Sequence, residues 1–257
     1  MPVRDGALRV ATLNLWGWFG DWPRRLETLT AAWPAVDADV LLIQEGCIQA
    51  GRDQVAQAAE ALGYPHTARG VAAPGPPGTE DVETVAVLSR PALEDVRVTV
   101  LPPSDPPRSL VAATIDWRGT PVTVATSHTV FRPAETCHAQ IDAMCSVEGT
   151  PLILGGDFNA TPDVVVPVAS THGLDDALAG APTATWPVCP DQFSRGWTDR
   201  TGAPPHFSLA PRRLDYLVSR DATVVDGGVF PVRDNGGALY ASDHAAVWAD
   251  FRVGGGT

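Results

Sequence analysis

Short apolar runs, each closed by a polar residue, recur along the whole chain. Residues 8–15 (LRVATLNL) are rich in β-formers and predict a first strand that closes at Asn14. Residues 39–45 (DVLLIQE) are almost wholly apolar, the pattern of a strand buried on both faces, and stop at Gln44-Glu45-Gly46. Similar runs predict strands at 83–89, 109–117, 121–127, 213–219, near 223–230 and at 245–253, with a turn at Arg118-Gly119-Thr120 between two of them. In Leu152-Ile153-Leu154 a buried strand is released by Gly155-Gly156, and Asp157 and Asn159 follow where it ends. Helical stretches lie between. Pro23 can open one that runs to about Trp33, residues 53–62 form a second that Gly63 is placed to end, and 134–147 form a third. Pro74-Gly75-Pro76-Pro77-Gly78 and the proline pairs at 102–103 and 106–107 read as loop, and 254–257 as a tail. The proline-rich stretch 177–211 reads as irregular, and segments that long are usually functional or disordered. No linker and no repeat of fixed period interrupts this order, so one domain over 1–257 is expected.

At 257 residues the chain can bury a full core, and no apolar run is long enough to span a membrane. Residues 1–6 lead straight into the first strand without the apolar centre of a signal peptide, so a cytoplasmic protein is expected. The formal charge is −12, with 30 acidic residues against 18 basic ones, all of them arginine. An acidic body repels polyanions at long range, which disfavours duplex nucleic acid as a partner unless a local arginine cluster overrides it. Arg132, Arg195, Arg212 and Arg213 are candidates for holding a second phosphate, because guanidinium suits bidentate oxyanion contacts. Cys47, Cys137, Cys145 and Cys189 form no C-x-x-C pair and read as free buried thiols.

Asp157 and Asn159, two apart on an extended chain, point the same way. A carboxylate and an amide at a strand's exit suit water activation beside a phosphoryl group or a metal; a turn in which both satisfy their own backbone is the plainer alternative. The same feature recurs, for Asn14, Glu45, His128, Asp215, Asp243 and His244 all close, or lie within, short apolar strands. Ligands of α/β sheets gather outside strand ends, so these groups could share one crevice. Taken singly, Glu45 could cap the following segment and either histidine could be structural. Asp215, set between Leu214 and Tyr216, needs a partner, since an unpaired buried charge is expensive.

In order along the chain, LNLW with Asn14, IQE with Glu45, SH with His128, GDFN with Asp157 and Asn159, RLDYL with Asp215, and SDH with Asp243 and His244 resemble the motifs of the endonuclease/exonuclease/phosphatase superfamily. That superfamily includes deoxyribonuclease I-like nucleases, AP endonucleases, neutral sphingomyelinases and inositol-polyphosphate 5-phosphatases. The resemblance spans essentially the whole chain. It implies an α/β fold of four layers, two packed mixed β-sheets flanked by helices, and hydrolysis of phosphate esters with Mg²⁺, or Mn²⁺ or Ca²⁺ in its place. By the same resemblance Glu45 is the main metal ligand, with Asn14 beside it and Asp243 in support. Asp157 would orient or deprotonate the attacking water, Asn159 would hold a phosphoryl oxygen, and His244, oriented by Asp215, would stabilise or protonate the phosphoryl centre. Carboxylate and amide oxygens fit Mg²⁺ better than zinc.

His128 stands where the deoxyribonuclease I and sphingomyelinase-like branches carry a second catalytic histidine, paired there with a glutamate on a neighbouring strand. Glu83 occupies the corresponding place, and the pairing would hold His128 protonated and turned for catalysis. Two departures stand out. The overall charge is acidic, and no hydrophobic hairpin like that of secreted sphingomyelinases is present. The aromatic stretches with Trp16, Trp18, Phe19 and Trp22, and with Trp186, Phe193, Trp197 and Phe207, would flank the site and stack a substrate group or simply pack. The expected function is a metal-dependent phosphodiesterase or phosphatase acting on a small or otherwise non-duplex phosphate ester. A DNA or RNA nuclease is the second reading and a non-catalytic scaffold the third. The sequence sets no oligomeric state.

Overall fold

A computed structural model describes residues 6–74, 81–181 and 183–254. The loop expected at 75–78, the first five residues and most of the expected tail lie outside the described residues. In chain order the elements are β1 (Leu8–Asn14), α1 (Trp22–Ala32) with a 3₁₀ turn (Trp33–Ala35), β2 (Val40–Gln49), β3 (Arg52–Asp53), α2 (Gln54–Leu62), β4 (His66–Pro74), β5 (Val82–Ser89) and β6 (Glu94–Val100). There follow β7 (Ser109–Trp117), β8 (Thr120–His128), α3 (Ala134–Cys145), β9 (Leu152–Asp157), α4 (Pro162–Thr171), β10 (Asp175–Asp176), α5 (Pro190–Thr201), β11 (Asp215–Arg220), β12 (Ala222–Phe230) and β13 (Ala246–Val253).

Two mixed sheets result. One runs β12-β13-β1-β2-β5-β4 with β3 on β2, the other β10-β11-β9-β8-β7-β6. The parallel pairs, β1 with β2 and β8 with β9, lie at the centre of each sheet. Strand periodicity explains how continuous apolar runs serve two layers at once. Val40 and Leu42 of β2 and Ile153 of β9 point between the sheets, where they meet Val87, Val124 and Val247. Their neighbours Leu41 and Ile43 face the helical side with Leu29, Trp33 and Val55, and Leu152 and Leu154 face α3 and α4 through Ile141, Met144 and Val165. The order helix, sheet, sheet, helix is the four-layer arrangement that the resemblance implies. All four cysteines are free and buried, and among the described residues no helix is long and apolar enough to cross a membrane.

Three expectations change. β2 does not stop at Glu45 but continues to Gln49, with a bulge between Ile43 and Gly46 and a left-handed φ of +52° at Glu45. The bulge turns the glutamate out of the ladder's alternation. The stretch 177–211 is not irregular throughout, since it contains α5. Proline content misleads there because Pro190 occupies the first turn, where a missing N–H costs nothing, and Gly202 closes the helix in the left-handed region. β4, β6 and α4 were not anticipated. β6 is exposed along its whole length, and the buried positions of β4 are filled by alanine and glycine, which give little hydrophobic contrast in sequence.

Gly156, directly before Asp157, is the backbone position that fixes the end of β9. It has φ +155°, and a Cβ there would lie 2.1 Å from the Ser127 carbonyl oxygen of the adjacent β8, an atom that cannot rotate away. Gly156→Ala is therefore expected to cost about 3 kcal/mol, a fall in Tm of roughly 6–12 °C at this size. Thermal denaturation checks this, and a Tm within error of the parent would contradict the close-approach account.

Candidate active site

Strand register delivers the polar residues to one place. In the second sheet His128 lies beside Asp157, and Asp157 lies opposite Asp215, three titratable groups abreast across β8, β9 and β11. From the first sheet come Asn14 at the end of β1, Glu45 on the β2 bulge, and Glu83 on β5 opposite Cys47. Asp243 and His244 occupy the turn before β13. Both parallel pairs run their carboxyl ends into the same crevice, the position expected for a ligand site in such sheets.

Asp157 is the hub. Its Oδ1 accepts the Asn159 backbone N–H at 2.9 Å, and its Oδ2 accepts the Asn14 amide at 3.1 Å. The same Asn14 Nδ2 donates to Glu45 Oε1 at 2.9 Å, so one amide ties together carboxylates of the two sheets. Asn14 Oδ1 accepts the Trp16 backbone N–H at 2.8 Å, which fixes the amide's orientation. Asn14 thus turns its N–H groups toward the two carboxylates and its oxygen toward the Trp16 backbone.

On one side of Asp157 stands His244, whose Nδ1 is 2.8 Å from Asp215 Oδ2 and whose Nε2 is 3.7 Å from Asp157 Oδ2. Burial opposes a charge on this imidazole, but the negative charges of Asp215, Asp243 and Asp157 outweigh it and raise its pKa well above the ordinary histidine value. Asp215 is fully buried, and among the described residues its Oδ1 has no hydrogen-bond partner. Asp243 accepts the Trp186 indole N–H at 2.7 Å.

On the other side stands His128. Its Nδ1 is 3.3 Å from Glu83 Oε1, which also accepts Arg108 Nη1 at 2.6 Å. Burial alone would raise Glu83, but the bond to His128 and the Arg108 charge pull its pKa down to about 2. Asn159 Nδ2 lies 2.9 Å from both the Thr129 carbonyl oxygen and His128 Nε2. With the amide anchored on that carbonyl, Asn159 donates to Nε2, while Nδ1 faces both Glu83 Oε1 and Arg108 Nη1, the latter at 3.2 Å. These bonds hold the imidazole between Asn159 on one ring nitrogen and the Glu83–Arg108 pair on the other.

Ligand atoms of Glu45, His128 and Asp157 lie within 4.8 Å of one another, and so do those of Asp157, Asp215 and His244. A divalent cation fits the first group on electrostatic grounds. Burial and the neighbouring Glu83 raise the Glu45 carboxyl to about 7, and among the described residues no arginine forms an ion pair with it. Glu45 and Asp157 would hold such an ion. Asp243 belongs to neither group.

Two arginines that the sequence did not single out support this arrangement. Arg108, at the entry to β7, faces the crevice beside His128. Arg25 is 1 % exposed and donates to the carbonyl oxygens of Leu15, Gly17, Phe19 and Ala241, tying the loop after β1 to the turn that carries Asp243 and His244. Burial lowers its pKa to about 10, so it stays charged beneath the carboxylates. Neither residue sits in a recognisable motif; only contact shows them. Of the four arginines proposed for a second phosphate, Arg212 lines the crevice. Arg213 is engaged with Asp176 at 2.5 and 2.8 Å, and Arg132 and Arg195 are exposed outside it.

The sequence profile of the Endonuclease/Exonuclease/phosphatase family matches residues 11–244. The chain belongs to this family. An endonuclease/exonuclease/phosphatase family protein from Leptotrichia buccalis C-1013-b has a similar structure, with TM-score 0.73 and 18% identity over 96% of this chain and 100% of that one. D. rerio TDP2 complexed with a single-strand DNA product gives TM-score 0.72 and 17% identity over 97% and 100%. The human Nocturnin catalytic domain with bound sulfate gives 0.69 and 20% over 96% and 94%. At such identities these structures establish the shared fold. No curated protein matches the sequence significantly.

The raised pKa values have a sign that can be tested. In the folded protein burial and Glu83 push the Glu45 carboxyl up to about 7, so it holds its proton more tightly than it does in the unfolded chain. Metal-free stability therefore falls as pH rises toward and past 7. His244 acts in the same direction, since the stability from its raised pKa is present below the unfolded value and is lost as pH rises through the folded one. In EDTA, Tm is expected to be higher near about pH 6 than near about pH 8, and Mg²⁺ to raise Tm more at the higher pH. Glu45→Gln is expected to remove most of the Mg²⁺ response. Scanning fluorimetry reads both, and an equal Mg²⁺ shift at the two pH values would contradict the assignment.

Proposed function

We propose that this protein hydrolyses phosphate esters with a divalent ion, Mg²⁺ first, with Mn²⁺ or Ca²⁺ as substitutes, on a small or otherwise non-duplex substrate. The observation that carries this reading is the double convergence on Asp157, with Glu45 and His128 on one side and the Asp215–His244 pair on the other. When bound, the ion polarises the phosphoryl oxygens and offsets their charge. Asp157, held by two N–H donors, orients the attacking water and takes its proton as the oxygen–phosphorus bond forms. His244, kept charged by Asp215, stabilises the phosphoryl oxygens and gives its proton to the leaving oxygen as the ester bond breaks. Arg108 adds positive charge on the His128 side, while Glu83 keeps that imidazole turned inward.

The acidic balance of −12 supports a substrate without an extended polyanionic backbone. A nuclease for single strands is the second reading, favoured by the aromatic rings along the crevice and by a similar structure, TDP2, having been solved with single-strand DNA product.

Hydrolysis of bis-p-nitrophenyl phosphate, p-nitrophenyl phosphate, plasmid DNA, single-stranded RNA and sphingomyelin, each with Mg²⁺ and with EDTA, tests the reading. Turnover is expected with the ion only, with the small esters ahead of plasmid. Asp157→Asn and His244→Ala are each expected to lower kcat at least about 100-fold with the fold intact by circular dichroism. Parental rates in either variant would overturn the role assignment, and activity that persists in EDTA would overturn the metal requirement.

A further inference from the structure

The crevice has a wall that the proposed chemistry does not use. Its volume is about 350 Å³, and one side is built from aromatic rings brought in by the β1–α1 loop, α5 and the segment after it. Phe19 stacks on Trp197 with centroids 5.6 Å apart and planes at 8°, and Trp197 meets Phe207 edge-on at 5.1 Å. Trp16 and Phe193 behind them are buried, but Phe19, Trp197 and Phe207 remain partly exposed where they line the crevice. Rings gathered only for packing would be covered. These three present an open apolar face next to a highly polar reaction centre.

Arg212 stands at the same wall. Its guanidinium lies 4.8 Å over the Trp186 ring, and its backbone exchanges two hydrogen bonds with Trp186. The side chain makes a long hydrogen bond, 3.3 Å from Nη2 to the Ser208 carbonyl oxygen, and among the described residues its buried Nε has no partner. Among the described residues no carboxylate pairs with it, whereas Arg9, Arg108 and Arg213 are held by Asp250, Glu83 and Asp176. In so acidic a protein, a positioned guanidinium with donors to spare is a ready anion site. Trp186 in turn sits 6.3 Å from the His244 ring and donates to Asp243, so Arg212 is coupled to the His244 side of the reaction centre.

We propose that this wall is a specificity subsite for a phosphate ester that carries a planar aromatic ring, laid on Phe19, Trp197 and Phe207, and a second anionic group, held by Arg212. The proposal rests on the phosphoester-hydrolase reading above. A terminally phosphorylated dinucleotide has both features, and the 5′ end of a single strand shares them.

Calorimetry on Asp157→Asn protein with Mg²⁺ reads binding without turnover. 5′-Phosphorylated dithymidylate is expected to bind about tenfold more tightly than dithymidylate without that phosphate. Arg212→Gln is expected to erase this preference, Arg212→Lys to keep part of it, and Phe207→Ala to weaken both ligands about fivefold. Equal affinity for the two ligands, a preference that survives Arg212→Gln, or full affinity in Phe207→Ala would each overturn the subsite. A 5′-phosphorylated oligothymidylate separates the sources: affinity that stops rising at the dinucleotide marks a small molecule, and affinity that grows with length marks a strand end. Wild-type turnover of simple esters without this preference would sink the subsite alone. Binding through Arg212 in a wild-type protein that cleaves nothing would sink the hydrolase reading alone.

Discussion

One amide group, Asn14 Nδ2, lies between Glu45 of the first sheet and Asp157 of the second, and the rest of the site depends on it. Two buried carboxylates repel, and bringing them together across a sheet interface requires a donor shared by both. The donor is held in turn, because Trp16 N–H occupies the amide oxygen and Arg25 holds the loop that carries Trp16. The apolar layer between the sheets sets their separation, and this chain of hydrogen bonds sets how the ends of β1, β2 and β9 face one another.

The charges around this point are arranged unequally. His244 is paired with Asp215, and Glu83 with Arg108, so those carboxylates are compensated within the protein. Glu45 is left with an amide and a distant imidazole, and its carboxyl is pushed up to about 7 by burial and by Glu83. The imbalance is local, and a divalent cation would offset it. The left-handed backbone of Glu45 belongs to the same arrangement, for a β-bulge that re-aims one side chain is a cost the fold bears at a functional position.

The surface tells a compatible story. In this acidic protein Arg9, Arg69, Arg90, Arg108 and Arg213 are held in ion pairs, and Arg25 and Arg220 against carbonyl oxygens. Arg212 is the exception at the crevice, stacked on Trp186 next to partly open rings. The net charge of −12 opposes long-range attraction of a polyanion, and the proposed subsite would supply short-range recognition of a ring with a second negative charge.

Much of this was legible in the sequence. Runs such as LRVATLNL, DVLLIQE and LILGGDFN mark their strands because the layers on both sides demand apolar residues, and the polar residue at each strand's end reports the crevice. The same places mark Asn14, Glu45, His128, Asp157, Asp215 and His244, which the fold brings together. What the one-dimensional pattern could not carry was direction. Whether Asn14 offers an oxygen or an N–H depends on Trp16. How the His128 ring is held depends on Asn159 and the Glu83–Arg108 pair, and which of several arginines reaches the crevice depends on which have met a carboxylate elsewhere. Arg108 and Arg25 lie outside any motif because their roles depend on partners such as Glu83 and Ala241, 25 and 216 residues away. Residue type and strand periodicity are local properties, and so the sequence alone determines them; hydrogen-bond direction and charge pairing are properties of neighbours in space, and only the tertiary structure decides those.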